Sequence, residues 1–349
     1  MKLEFERFEL RMTDRWTLAR TAGATTAMVV IVRLIDADDI CGFGEAAPVA
    51  RYHESVKSVE DFLGRIDPAR LSFSDIEGSI QYFNALSNGD MSAKCAVSAA
   101  LFDGAGKRAG KPVHDLLGLG FHEGRHLTSF TIGIDAPETI HRKVEAAAPF
   151  PIIKMKVGGA DDETCLRKLR EVAPTKQLRL DANEGWSTKE RALERIEFFA
   201  RDCRIDFIEQ PMPASTRIED WIWLKKRSPL PLFADESYHV ANDLEKIVEG
   251  FHGVNVKLVK AGGIDAAAAA LQAARRAGLK TMLGCMIETS ILISAGAHLA
   301  ELCDYLDLDG NLLVTNDPYE GVTAKNGVLS FAASREMSGL RVARKSSAA

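Results

Sequence analysis

PIIKMKVGG, residues 151–159, is an apolar run that carries two lysines, Lys154 and Lys156, on either side of Met155. Read as a buried strand, it puts both ammonium groups on one face, because positions i and i+2 of a strand point the same way. Two lysines so placed repel each other and lose solvation, and both effects predict lowered pKa values. Folding gains nothing from such a pair. An isolated KxK ordinarily snorkels to solvent from a strand end, so the residues that follow decide its meaning.

Acidic residues then stand at the ends of successive apolar runs. LRLDANEGW holds Asp181, IDFIEQP holds Glu209 and PLFADES holds Asp235. GVNVKLVKAGG adds Lys257 and Lys260, and YLDLDGNLL adds Asp307 and Asp309. The runs recur roughly every 20–30 residues with helical segments between them, the rhythm of strand and crossover helix in a parallel barrel, whose chemistry sits at the C-terminal strand ends. Eight strand candidates result, at 127–134, 152–157, 178–181, 207–209, 232–235, 254–258, 281–284 and 305–309. The fold class expected is α/β: a (β/α)8-type, modified TIM barrel over 121–321. An α+β capping domain over 1–120 precedes it, and 322–344 return to that domain.

Within the first 40 residues, Leu3, Phe5, Phe8 and Leu10 fall at strand-like spacing and MVVIVRL (28–34) is a β-branched strand, so a hairpin or meander is expected. TLARTAGATT (17–26), small, polar and glycine-containing, reads as the loop between them. Helical patterns follow at 55–65, 74–86 and 93–109. GAGKRAG (104–110) is no phosphate loop: Ala105 stands where the pattern needs glycine, and Pro112 where it needs Ser or Thr. It reads as a helix end with a glycine cap. The tail beyond Arg344 is expected to be disordered.

With 46% hydrophobic and 27% charged residues, the 349-residue chain has the composition of a soluble globular protein. A net charge of −5 without basic blocks argues against nucleic acid as a partner. No apolar run reaches the ~20 residues that span a bilayer, so no membrane partner is expected. MKLEFERFEL alternates apolar and charged residues, as a strand does and a signal peptide does not. Six scattered cysteines without a CxxC pair fit reduced thiols in a cytoplasmic protein. A homo-oligomer is the expected assembly.

Asp181, Glu209 and Asp235 are hard oxygen donors with no neighbouring His or Cys, a set that selects Mg²⁺ or Mn²⁺. Three buried carboxylates at matching strand ends need a cation to balance them. Lys156 and Lys257 come from strands 2 and 6, on opposite sides of an eight-strand ring. Across a metal-held carboxylate, one can take a proton from one face of the α-carbon and the other return it on the opposite face. The reaction class is α-proton abstraction through an enediolate: racemisation, epimerisation or β-elimination. Asp307 and Asp309 share a strand face at the rim of the same cavity. With the metal already balanced, a substrate ammonium group is the positive partner that suits them. Lys260, three residues past Lys257, is expected on the opposite strand face or in the following loop.

KMK, DAN, IEQP, ADES and KLVKAGG, in this order and spacing, resemble the enolase superfamily in its muconate-lactonising subgroup, over nearly the whole chain. The resemblance implies that Lys156 and Lys257 are the acid/base catalysts and that Lys154 screens the substrate carboxylate. It also implies that Asp181, Glu209 and Asp235 hold the metal, with Asn183 and Glu236 as partners of those ligands. The DxD after the last strand, GCMIETS and ARYHES further resemble the dipeptide epimerases of that subgroup. The implied activity is proton transfer at the α-carbon of the C-terminal residue of a small dipeptide such as L-Ala-D/L-Glu. Arg20, in the 17–26 loop, then either pairs with a glutamyl side chain or is an ordinary surface arginine. N-acylamino-acid racemases, o-succinylbenzoate synthases and muconate cycloisomerases share the lysines and ligands but do not need the carboxylate pair. A non-catalytic barrel that binds a metal and a small acid gains nothing from two opposed bases.

Overall fold

The computed structural model describes residues 1–21, 23–239 and 244–346. An antiparallel sheet opens the chain, with β1 (Lys2–Trp16), β2 (Ala24–Ile35) and β3 (Cys41–Ala46) in the order β1-β2-β3. Both arms of the hairpin run longer than the apolar pattern indicates, because the register from Lys2↔Ile35 to Arg11↔Thr26 pairs polar residues too. Three helices pack on this sheet: α1 (Val56–Leu63), α2 (Ile76–Asn84) and α3 (Met91–Ala109). Ser55 and Asp75 cap the first two by accepting backbone N–H groups, which satisfies donors that a helix start leaves open. α3 ends at Gly110, whose φ of 64° is the left-handed cap expected of GAGKRAG. A short turn, α4 (Val113–Leu116), leads out of this unit.

Eight parallel strands follow: β4 (Phe130–Ile132), β5 (Ile152–Lys156), β6 (Gln177–Asp181), β7 (Ile205–Glu209), β8 (Leu232–Ala234), β9 (Gly253–Lys257), β10 (Lys280–Gly284) and β11 (Tyr305–Asp307). Their order around the sheet is their order in sequence, and a parallel bridge from Thr128 to Leu306 links β11 back to the approach of β4. That is the expected barrel. The first strand is shorter than 127–134, because Leu127 instead bridges to Val328 of the returning C-terminal segment.

The helices between strands are α5 (Pro137–Ala146), α6 (Asp162–Val172), α7 (Lys189–Phe199), α8 (Ile218–Lys225), α9 (Leu244–Gly250), α10 (Leu258–Ala261), α11 (Ile264–Arg276) and α12 (Ser290–Ala297). Each of the longer ones turns one apolar stripe to the sheet, as Ala192, Ile196 and Phe199 do on α7. At the base of the barrel Phe207 and Phe233 stack at 4.2 Å, and the Arg179 guanidinium lies 4.9 Å from the Tyr305 ring. The base is thus a closed plug. Chemistry is left to the opposite end.

The C-terminal segment returns across both units. Leu340 N–H donates to the buried Asp103 carboxylate of α3 at 2.7 Å. Lys345 is held by Pro318 and Asp317 carbonyls, so order extends past Arg344, against the expectation of a disordered tail. Residues 347–349 of that tail lie outside the described residues. All six cysteines are free thiols.

Candidate active site

Register assembles the floor of the site. Lys156 pairs with Asp181 and Asp181 with Glu209 across β5, β6 and β7, so three functional side chains leave neighbouring strands at one level. Glu209 pairs with Phe233, and Asp235, two residues on, points to the same face. On the far side, Gly284 pairs with both Lys257 and Asp307. A one-residue slip anywhere in this ring would turn the charges outward.

Asp181, Glu209 and Asp235 are buried and offer oxygens within 4.8 Å of one another. Lysines press on this cluster from three sides. Lys154 Nζ lies 3.2 Å from Asp181, 2.7 Å from Glu209 and 2.7 Å from Asp307. Lys156 meets Asp181 at 2.6 Å and Lys257 meets Asp235 at 2.8 Å. Lys154 and Lys257 therefore do not follow the expected downward shift. Burial pushes Lys257 down, but Asp235 more than reverses it, and its ammonium is held above the ordinary lysine range; burial and Asp307 act in the same opposed way on Lys154, with the same result. The mutual repulsion read from KMK is outweighed by the carboxylates that face it.

The carboxylates split. Lys257 and Lys260 hold Asp235 well below the carboxylate range in spite of burial, whereas burial and the charge of Asp181 push Glu209 up to about 8. Glu209 Oε2 accepts no aligned hydrogen bond, and neither do the buried Asn183 Oδ1 and Asn255 Oδ1. An all-oxygen triad of buried carboxylates within 4.8 Å of one another fits a hard divalent cation. When bound there, such a cation supplies a counter-charge for a substrate carboxylate and for negative charge developing beside it.

Lys260 corrects the sequence reading. It lies neither on the far strand face nor in a loop but on the single turn α10, which carries its Nζ back to Asp235 Oδ1 at 2.5 Å and to the Asp235, Tyr238 and Asn255 carbonyls. A helical turn places i and i+3 on one side, so the residue excluded by strand parity rests on the same ligand as Lys257. Gln210, unremarked in IEQP, takes φ 38° and accepts the N–H groups of Asp235 and Ser237, which fixes the end of β8. Asn255 donates to Glu209 at 2.7 Å. Asn183 donates its side-chain amide to Glu236 at 3.2 Å and its backbone N–H to Asp181 at 2.9 Å, so it lies beside a ligand.

Across Lys154 from the triad stand Asp307 and, after it, Asp309. Asp307 already has a cation, Lys154, together with the Ser129 hydroxyl at 2.7 Å, and it is lowered to about 2. Asp309 lies past the end of β11, accepts the Thr131 N–H at 2.6 Å, and has no lysine or arginine within 4 Å among the described residues. Burial and the Asp307 charge raise it to about 7. Its Oδ1 meets the Cys285 thiol at 3.9 Å, so of the pair Asp309 is the one without a cationic partner.

The capping unit roofs the cavity, whose volume is about 280 Å³. Trp16, Leu18 and Arg20 come from the end of β1 and the loop after it, Val49 and Tyr52 from the segment after β3. Ala19 rests against Gly158 and Gly185; Gly158 holds φ 105°, and a Cβ there would sit 2.9 Å from that of Ala19. Arg20 donates to Glu236 at 2.6 Å and to the Asn183 carbonyl at 3.2 Å, while Arg51 makes a two-bond pair with Glu184. Arg20 is therefore neither loose at the surface nor uncommitted; it ties the roof to the floor. Glu236, which Arg20 engages, keeps one buried oxygen without a hydrogen bond.

Comparison with known proteins agrees with this geometry. Residues 8–118 match the mandelate racemase / muconate lactonizing enzyme N-terminal domain, and residues 136–317 the enolase C-terminal domain-like family. An L-Ala-D/L-amino acid epimerase of Pedosphaera parvula is 57% identical over 347 residues, which is 99% of this chain and 100% of that one. A substrate-liganded L-Ala-D/L-Glu epimerase of Bacillus subtilis superposes with a TM-score of 0.91 at 28% identity, over 99% of both chains. A dipeptide epimerase of Enterococcus faecalis, solved with Mg and L-Leu-L-Tyr, gives 0.88 at 28% identity over 98% of this chain and 99% of that one. With the barrel, the carboxylate triad and the opposed lysines in place, the chain belongs to the enolase superfamily, in its mandelate racemase / muconate lactonizing branch.

Proposed function

We propose that this protein is a Mg²⁺-dependent dipeptide epimerase acting on L-alanyl dipeptides, inverting the α-carbon of the C-terminal residue. The observation that carries this reading is the Asp309 carboxylate, without a lysine or arginine partner among the described residues, in the cavity that Lys154, Lys156 and Lys257 also line. A free N-terminal ammonium is the group that would complete it, and an N-acylated amino acid has none. The names of the relatives, and the Mg and dipeptide bound to a structural neighbour, support the same substrate class.

Asp181, Glu209 and Asp235 would hold the cation. Lys154, between Glu209 and Asp307, would screen the substrate carboxylate. Lys156 and Lys257 stand on β5 and β9, four strands apart in a ring of eight, and so address opposite faces of a carbon held between them. One takes the α-proton as the neutral amine; the other gives its own to the opposite face, and the pair exchange roles in the reverse direction. With Asp235 engaged as a ligand, Lys257 loses the partner that otherwise holds its proton.

Incubating the protein and Mg²⁺ in D₂O with a panel of L-Ala-L-X dipeptides, with X spanning acidic, neutral and apolar side chains, tests the reading. One deuterium enters the C-terminal residue, and the L-D epimer accumulates. Exchange into N-acetyl or N-succinyl amino acids in preference to every free dipeptide would replace the epimerase by a racemase.

A further inference from the structure

A second cavity, of about 140 Å³, lies directly behind the amine end of the first, and the two share three walls: Trp16, Thr131 and Leu313. Beyond them the second cavity is bordered by Met12, Phe130, Ile132 and Ala146, and an Arg142–Asp14 ion pair stands at its rim. The partition is made of side chains on a pinned backbone. Met12 bridges to Val314, Thr315 N–H donates to the Arg11 carbonyl at 2.8 Å, and Arg11 N–H donates to Asn316. Trp16 and Leu313 are carried on the two segments these bonds join.

Given the proposed binding mode, on which this inference rests, the substrate ammonium sits at Asp309. The Cβ of the N-terminal residue is then only about 2.5 Å from that nitrogen, two bonds away. Thr131, which donates to Asp309, is itself part of the partition. At Gly310, the residue after Asp309, the molecule is close packed: a Cβ there would lie 2.2 Å from the Met286 carbonyl and 3.3 Å from Cys285 Sγ. Toward Leu313 there is a side chain and then a void.

We propose that Leu313, with Trp16, sets the size of the substrate's N-terminal residue, and that the cavity behind it is a latent subsite for a bulky apolar side chain at that position. Leu313 is a specificity-determining residue: it admits alanine and turns away leucine and phenylalanine. Truncating it joins the two cavities, and the burial of an apolar side chain in the joined space favours the larger substrate.

The test compares L-Ala-L-X, L-Leu-L-X and L-Phe-L-X, with X held at the C-terminal residue the wild type handles best, by kcat/KM in wild type, Leu313→Val and Leu313→Ala. The expected result is a graded rise, reaching at least tenfold in the ratio of bulky to alanyl substrate for Leu313→Ala. Adding Ala146→Phe, which fills the second cavity from its far side, should abolish the rise. An unchanged ratio in a folded variant that still turns over L-Ala-L-X would overturn the proposal, as would a rise that survives Ala146→Phe. Should Leu313→Ala fail to fold, Leu313→Val carries the same comparison. A wild type inactive on every dipeptide would instead count against the epimerase reading, so the two failures are distinguishable.

Discussion

The floor and the roof of the cavity are built on different rules. On the floor, charge meets charge directly: Asp181 receives Lys154 and Lys156, Asp235 receives Lys257 and Lys260, and Gln210 accepts the Asp235 backbone N–H. The roof presents a tryptophan, a leucine, a valine and a tyrosine, and a single arginine that reaches down to Glu236. Dense pairing on rigid strand ends fixes where charge develops, which is what a proton transfer between fixed bases requires. A sparse apolar roof on a hairpin loop can be rebuilt residue by residue without disturbing that chemistry. The difference separates reaction from specificity: changes to the floor should lower kcat, and changes to the roof should move KM and substrate choice.

Removal of the metal has the largest effect. Exhaustive chelation should bring turnover to background and added Mg²⁺ should restore it, with the circular dichroism spectrum unchanged throughout. Activity that survives chelation would break the assignment of Asp181, Glu209 and Asp235. Next is Asp309→Asn, at the seam of floor and roof. Loss of a charge-assisted hydrogen bond to a buried ammonium, worth roughly 1.5–3 kcal/mol, should lower kcat/KM for free dipeptides about ten- to hundredfold. N-acetylated analogues, poor from the outset, should barely change.

Arg20→Gln should act on the roof alone. Because the guanidinium is committed to Glu236, KM should rise by up to about tenfold for acidic and neutral dipeptides alike, with kcat little altered. A loss confined to acidic dipeptides would show that Arg20 leaves Glu236 to read the substrate side chain. The smallest effect belongs to the junction beneath both. His114, on α4, and His298, just past α12, face each other with their Nδ1 atoms 2.8 Å apart, so one must be a bare acceptor. Burial lowers both. A histidine lowered in the fold contributes stability that is complete above the unfolded value near 6.5 and is lost as pH falls below it. The unfolding free energy from urea titrations should therefore fall below pH 6.5, by up to about 1.4 kcal/mol per pH unit for each ring, and His298→Asn should flatten that slope.

Strand ends were the legible part of this molecule. Inward charges inside apolar runs have no other explanation than a shared interior, and the even rhythm of the runs implied the ring that gathers them. The strand reading of Lys260 fails because alternation stops at Lys257, three residues short of it, where β9 becomes α10. Nothing in KMK announces that Lys154 also takes Asp307 and leaves Asp309 without a cation. The roof was illegible for a physical reason. The loop after β1 has no periodicity, and its position over the barrel depends on Ala19 meeting two glycines more than a hundred residues away. Leu313 looks like any core leucine until the voids on its two sides are seen.

On the proposed reading Lys156 and Lys257 act on opposite faces of one carbon, and single-lysine variants separate those faces. Lys156→Ala and Lys257→Ala, each with Mg²⁺ in D₂O, are given the L-L and the L-D epimer of one dipeptide separately, and α-deuterium is followed by mass spectrometry. Each variant should retain the fold and lose epimerisation by roughly 10²–10⁴-fold. One should still exchange the L-L epimer with solvent, and the other only the L-D epimer. If both variants lose exchange from the same epimer and keep it from the other, the two lysines share a face and the account is wrong.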